Sequence, residues 1–254
     1  MPGALHVIPL AGIPEVLPGA DLAALLAAAL AAAGLIAREG DVLVVAQKVV
    51  SKAEGRYADL NDVTPGARAL ELAAITGKDA RVVELVLSES VKVLRARRDV
   101  LIVRHRLGFV MANAGIDRSN LGGSGAPRVL LLPLDPEGSA AALRASLGRT
   151  LAFAPGVIIS DSFGRAWRRG VVNVALGAAG IPSLWNRRGE RDRADRPLEV
   201  TEVALADALA AAAGLVMGEA AEGVPAVLIR GAVFGAPESG ASALLRPPEE
   251  DLFQ

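Results

Sequence analysis

Six short apolar runs rich in β-branched residues, at residues 7–10, 42–46, 100–104, 129–132, 157–160 and 226–229, confine this chain to a fold built on buried strands. Between them lie helical spacings at residues 22–33, 67–76, 81–95, 139–147 and 201–213. The last has Thr201 and Glu202 as a cap and acidic start. Strands alternating with helices predict an α/β or mixed α+β domain of the kind that carries enzymes. Residues 22–37 hold no charge, but the stretch is shorter than a bilayer requires and is mostly Ala. Asp21 stands where an N-cap belongs and Gly34 falls near the end, which is the punctuation of a buried helix.

The 254 residues are enough to bury a proper core, as one large domain or two small ones tightly joined. The expected organisation is a single catalytic domain over residues 1–254. The absence of Cys excludes a thiolate nucleophile, a disulfide framework and a Cys-based zinc site, so a reducing compartment is the default. The first residues lack the basic region of a secretory signal, which makes the cytoplasm the natural location. With 27 Lys plus Arg against 28 Asp plus Glu, the net charge is -1, and no global field draws in nucleic acid or an anionic membrane. Residues 186–197, NRRGERDRADRP, read as a charged surface loop, and the Pro-rich, acidic tail from 246 to 254 reads as surface or frayed chain. The two histidines, His6 opening a strand and His105 among arginines on a hairpin, read as surface residues without a role.

Chemistry concentrates where polar residues follow buried strands. In PLAGIPE (9–15) Gly12 and Pro14 break a strand, letting backbone N–H groups approach a ligand or merely redirecting the chain. In VVAQKVVSKAEGR (44–56) a buried strand runs into Lys48 and Lys52, which suit phosphate; an exposed basic edge is the alternative. It is no Walker loop, because the glycine frame is missing. In GFVMANAGIDRSNLGG (108–123) Asp117 is the single acid. Asn113, Ser119 and Asn120 give it the oxygen-rich surroundings that hard cations prefer, although such residues also cap their own turns.

The most informative segment is VIISDSFGRAWRRG (157–170). A buried strand delivers Asp161 and Ser162 at its carboxyl end, where ligands of α/β sheets commonly bind. Arg165, Arg168 and Arg169 follow at once, and Trp167 among them suggests a packed loop. A carboxylate and hydroxyl for metal with guanidinium groups for phosphate or carboxylate is the chemistry of phosphoryl transfer. In GLVMGEAAEGVPAV (214–227) a helix runs into Glu219, Glu222 and Gly223 ahead of a strand, which closes a nucleotide site or is an ordinary connection.

Taken together, PLAGIP, QKVVSKAEGR, ANAGIDRSN, SDSFGRAWRRG and MGEAAEGVP resemble the coenzyme F-420:L-glutamate ligase family in order and spacing, from about Pro9 to Ile229. The resemblance implies a mixed α/β fold of its own kind, neither Rossmann nor P-loop, assembled as a homodimer. It matches Leu10, Ala11, Gly12, Ile13, Gln47, Lys48, Lys52 and Asn120 to nucleotide-binding positions. A further guanine-nucleotide segment matches Met217, Gly218, Glu219, Ala220, Ala221, Glu222, Gly223 and Val224. Asp117 and Asp161 match ligands of one divalent metal, manganese or magnesium, and Ser162 and Glu219 match ligands of a second. A monovalent cation such as potassium is a further expected helper. Ser162 stands where Thr is usual, Ala166 where Pro is usual and Glu219 where Gln is frequent; Leu107 replaces a polar position.

The implied reaction uses GTP to phosphorylate the terminal carboxylate of the deazaflavin F-420 precursor, after which the amine of L-glutamate displaces phosphate. Asp117, Asp161, Arg165 and Arg168 are the candidate catalytic residues. Two alternatives stand beside this reading: the same machinery acting on a different carboxylate acceptor, and a non-catalytic GTP- or coenzyme-binding protein. Some members of the family carry a second, flavin-binding domain, for which a chain ending at Gln254 leaves no room.

Overall fold

The computed structural model describes residues 3–119 and 127–251. The first half contains β1 (His6–Pro9), α1 (Leu22–Ala32), β2 (Val42–Ala46), α2 (Gln47–Ala53), β3 (Tyr57–Asp59), α3 (Ala67–Thr76) and α4 (Ala80–Ser88). Next come β4 (Ser90–Arg97), β5 (Val100–His105), β6 (Val110–Ala112), β7 (Arg128–Leu130) and α5 (Pro136–Thr150). The chain continues through β8 (Gly156–Gly164), β9 (Val171–Ala179), β10 (Leu184–Asn186), β11 (Glu202–Ala204), α6 (Leu205–Met217) and β12 (Ala226–Arg230). This is the mixed α/β architecture that the sequence pattern predicts. No described helix is long and apolar enough to cross a membrane.

The main sheet has the order β1-β12-β2-β8-β9. Its central pair, β2 and β8, is parallel, with Val42 opposite Gly156 and Ala46 opposite Ser160; the other neighbours are antiparallel. The apolar run of β2 is continuous because both faces of the sheet are covered. Leu43 and Val45 pack with Val157, Ile159 and Leu228 under α1 and α5, whereas Val42 and Val44 pack with Ile158, Val227 and Ile229 under α6. Each such side chain, fully withdrawn from water, contributes about 1.5–3 kcal/mol. The N-terminus of α5 lies so close to β9 that a Cβ on Gly177 would meet the Pro136 carbonyl at 2.2 Å, so only Gly fits there. Asp21 caps α1 as the sequence implies, accepting from the Ala24 N–H at 3.0 Å.

A second core holds α3 and α4 against β5 and β7, with Leu72, Val83, Val86, Leu101, Val103 and Val129 buried. Phe109, Met111, Leu132 and Leu176 form a smaller cluster with Phe163 packed on it.

Three expectations are corrected here. The helix expected over residues 81–95 stops at Ser88, and Ser90–Arg97 is strand β4 paired with β5. Val91 and Val93 favour the extended form, and Glu89 is the C-cap of α4, its N–H still donating to the Leu85 carbonyl. The helix expected from Thr201 begins at Leu205, because residues 202–204 pair with β10; neither Thr201 nor Glu202 caps it, and Ala204 occupies the cap position without a side-chain bond. His105, expected at the surface, is fully buried, its Nδ1 accepting from the Leu107 N–H at 3.0 Å. The tail is tied down at Asp251, which accepts from Arg104 at 3.2 Å, whereas the loop at 187–196 is the charged surface segment expected, with Arg187 on Glu190 and Arg196 on Asp192.

Glu89 holds this region together. Its carboxylate accepts from Arg56 at 3.0 Å and from Arg106 at 3.0 Å, and His105 Nε2 stands 3.4 Å away, at ion-pair distance but without hydrogen-bond alignment. The His105 imidazole, with Arg106 and Arg56, outweighs burial and holds the Glu89 carboxyl at about 2, well below its ordinary 4.5. A carboxyl lowered in the folded state stabilises the fold above its unfolded value, and that stability is lost as pH falls through the folded value. Glu89→Gln is therefore expected to be less stable than the parent at pH 7, by up to about 3 kcal/mol. The gap should narrow as pH falls from 5 toward 2. Urea titrations at several pH values measure it; a gap that is constant with pH contradicts the assignment.

Candidate functional site

The parallel pairing of β2 and β8 brings their carboxyl ends to one side of the sheet, where the chain leaves β2 directly into α2. On α2, Lys48 and Lys52 are one helical turn apart and share a side. Alternation along β8 turns Asp161 toward the face that carries α2, and Ser162 toward the face that carries α6. The β9 strand bulges at Leu176 just before this point, since Ile159 pairs with Gly177 while Ser160 pairs with Ala175. Ser162 then lies opposite Asn173, whose amide donates to Met217 Sδ at 3.5 Å at the end of α6. Between these ends lies a cleft of about 560 Å³, a volume suited to a nucleotide-sized ligand.

The cleft is electrostatically uneven. Lys48 Nζ sits 2.7 Å from Asp117 Oδ2 and donates to Ser119 Oγ at 2.8 Å. Asp117 also accepts from the Ser119 N–H and hydroxyl at 2.7 and 2.8 Å, and its backbone pairs with Leu130. Burial raises the Asp117 carboxyl, but Lys48 and Ser119 outweigh it and leave it below the ordinary range. Lys52 reaches Glu15 at 3.4 Å. Asp161 has no such ion-paired cation among the described residues. Burial pushes its carboxyl up to about 7; the Ser162 N–H opposes this, Asp117 and Glu219 add to it, and Lys48 is too weak to reverse it. Ser160 Oγ is buried beside it without a hydrogen-bond partner among the described residues.

A hard divalent cation fits this donor set. Asp161 and Asp117 offer carboxylate oxygen and Ser162 a hydroxyl, and Asp161 lacks a compensating charge. Among the described residues no three His, Asp or Glu side chains close into a cage. Magnesium commonly takes one or two carboxylates and fills its remaining positions with water and phosphate oxygens.

Of the residues singled out in the sequence, Ile13, Gln47, Lys48, Lys52, Asp161, Ser162 and all of residues 217–224 line the cleft. Asp117 joins it through Lys48. Leu10 is fully buried in the core, while Ala11 and Gly12 are exposed on the approach, Gly12 with φ +77. Arg165 and Arg168 lie outside the lining on the turn between β8 and β9, and Trp167, expected in a packed loop, is 89% exposed. Asn120 lies outside the described residues. Sequence reasoning missed Glu15 as the partner of Lys52, and Asn173; the second is signalled by a single polar residue inside the apolar run VVNVAL.

Fold and site together define an α/β protein that sets two lysines and an uncompensated carboxylate around one ligand-sized cleft. The F-420-0:gamma-glutamyl ligase family profile matches residues 12–231, and the chain belongs to that family. It is 47% identical to the coenzyme F-420:L-glutamate ligase of Methanothermobacter thermautotrophicus, over 98% of this chain and 99% of the relative. It is 47% identical to the protein of the same name from Methanopyrus kandleri, over 94% of each chain. With that of Archaeoglobus fulgidus it shares 42%, over 98% of this chain and 96% of the relative.

Because ionising Asp161 in the fold is unfavourable, its presence stabilises the cation-free protein only at acid pH, and this is lost as pH rises from the ordinary carboxylate range through about 7. At pH 8 in chelator, Asp161→Asn is expected to equal or exceed the parent in stability, by about 1–3 kcal/mol at most. Manganese should raise the melting temperature of the parent and not of the variant. Calorimetry checks both. A variant that melts well below the parent in chelator would make Asp161 a structural residue.

Proposed function

We propose that this chain is a ligase that joins L-glutamate to the terminal carboxylate of the deazaflavin F-420 precursor at the expense of GTP, building the γ-glutamyl tail. What supports it most is the convergence of Lys48, Lys52, Asp161, Ser162 and residues 217–224 on one cleft. Relatives at 47% identity that span nearly the whole chain are named for that ligation.

In the proposed reaction a carboxylate oxygen of the acceptor attacks the γ-phosphorus of GTP, the bond to the β–γ bridging oxygen breaks and GDP leaves. The amine of glutamate then attacks the acyl carbon. The bond from carbon to the phosphate oxygen breaks, phosphate departs and the amine proton passes to solvent. No protein nucleophile takes part. Lys52, almost wholly buried and held among the described residues by Glu15 alone, is placed to turn its ammonium to phosphate oxygens. Lys48 neutralises Asp117 and adds a second cation at the same edge.

Asp117 and Asp161 would hold one divalent cation, and Ser162 and Glu219 a second. Such a cation supplies positive charge against the transferring phosphoryl group. The resemblance extends the proposal to manganese or magnesium as that cation, to a monovalent helper such as potassium and to a homodimer.

The test is steady-state phosphate release with F-420-0, L-glutamate and nucleotide, followed by product mass. GTP should exceed ATP in kcat/KM by about tenfold or more, and Lys52→Ala should raise the KM for GTP by at least about tenfold with the fold intact, as expected for loss of a charge-assisted phosphate contact. Equal use of ATP, or an unchanged KM for GTP in the variant, contradicts the assignment of this cleft.

A further inference from the structure

The β8 and β9 strands run past the cleft and end in a turn whose residues 164–170 are all exposed. The base of this hairpin is anchored: Phe163 meets Phe109 edge to face, with ring centroids 6.1 Å apart. The tip is not. Trp167 is 89% exposed and holds φ +64, a left-handed conformation that a bulky side chain rarely adopts. Around it Arg165, Arg168 and Arg169 place three cations within five residues, and none is within ion-pair distance of an acid among the described residues. Arg165 donates to the Arg169 carbonyl at 3.1 Å, which curls the turn and leaves the charge unneutralised.

The contrast with the other arginine-rich segment is informative. Along residues 187–196 each of Arg187, Arg191 and Arg196 is paired with an acid of the same loop, Glu190, Asp195 and Asp192. Arg188 pairs with Glu202 just outside that segment, so of its five arginines only Arg193 has no ion pair among the described residues. The hairpin tip is an aromatic ring among three unpaired guanidinium groups, which suits a planar ligand carrying negative charge, through stacking and bidentate contacts.

We infer that the tip of the β8–β9 hairpin, through Trp167 and Arg165, Arg168 and Arg169, is the binding platform for the acceptor of the ligation, a planar heteroaromatic molecule with anionic groups along the chain that leads to its reacting carboxylate. The inference rests on the ligase reading of the cleft. The same strand carries Asp161 and leads into the hairpin tip, so continuous β-structure joins the platform to the cleft. Arg165 lies four residue steps beyond Asp161 along extended chain, roughly 13 Å, which sets the span between the ring and the carboxylate of a fitting acceptor. Glutamate is too small to reach from one to the other, and the nucleotide is accommodated by the cleft, whose lining excludes the tip. A second copy of this chain packed tip to tip would set like charges against each other.

The full chain is compared with Trp167→Ala, Trp167→Phe and the double variant Arg168→Gln/Arg169→Gln, measuring KM for F-420-0, GTP and L-glutamate, melting temperature and sedimentation. Trp167→Ala should raise the KM for F-420-0 by about tenfold or more while the values for GTP and glutamate move less than about twofold, a loss of the size of one stacking contact. Trp167→Phe should recover most of it, and the double variant should weaken F-420-0 with a shallower salt dependence. Unchanged KM for F-420-0, an equal loss for GTP, or dissociation of an oligomer by Trp167→Ala would each overturn the inference, the last by making the tip an interface between copies. Failure of the ligase reading is told apart by the parent itself, which would then release no phosphate with GTP. In that event equilibrium dialysis of F-420-0 against parent and Trp167→Ala still decides: binding lost only in the variant supports the platform, and no binding to either, or equal binding to both, overturns it.

Discussion

The parallel pairing of β2 with β8 is the constraint on which the site depends. Because Val42–Ala46 and the first half of Gly156–Gly164 run side by side in the same direction, the turn into α2 and the residues Asp161 and Ser162 emerge at one edge. An antiparallel pair would have put the lysines and the carboxylate at opposite ends of the sheet. The pairing is secured on both faces, by α1 and α5 on one side and α6 on the other, which is why both strands are apolar along their buried length. The end of α6 then delivers residues 217–224 to the same edge before β12 returns the chain to the sheet.

Two carboxylates show how differently this fold treats charge. Glu89 is surrounded by Arg56, Arg106 and His105 and is held strongly acidic, as part of the second core. Asp161 is more deeply enclosed but has no ion-paired cation among the described residues, and Asp117 and Glu219 add to its difficulty. The first arrangement stabilises the fold. The second is a local electrostatic deficit, and such deficits collect where proteins bind cations and phosphate. Lys48 on Asp117 is the partial remedy within the chain.

Much of this was legible in the sequence because burial leaves periodic marks. The strand at 42–46 and the helix at 67–76 fall where their apolar patterns place them, and Asp161 follows its strand as the run VIIS implies. What was not legible depended on contacts distant in the chain. The run from Ser90 has helical neighbours and reads as helix until β5 pairs with it, and residues 202–204 become strand only because β10 lies alongside. His105 looks like surface among arginines, yet Glu89 draws the whole group inward. At the site, motif similarity identified the lining at 217–224, whereas the partnership of Lys52 with Glu15 and the exposure of Trp167 required three dimensions.

The central claim is that one cleft, formed where β2 and β8 end, holds the triphosphate and its cation together. A crystal structure of the chain with manganese and a non-hydrolysable GTP analogue, recorded at a wavelength where manganese scatters anomalously, tests this directly. The account predicts an anomalous peak bonded to Asp161 and to a γ-phosphate oxygen, with Lys52 on the phosphates and residues 217–224 around the nucleotide. A nucleotide bound elsewhere, or manganese with no contact to Asp161, would contradict it.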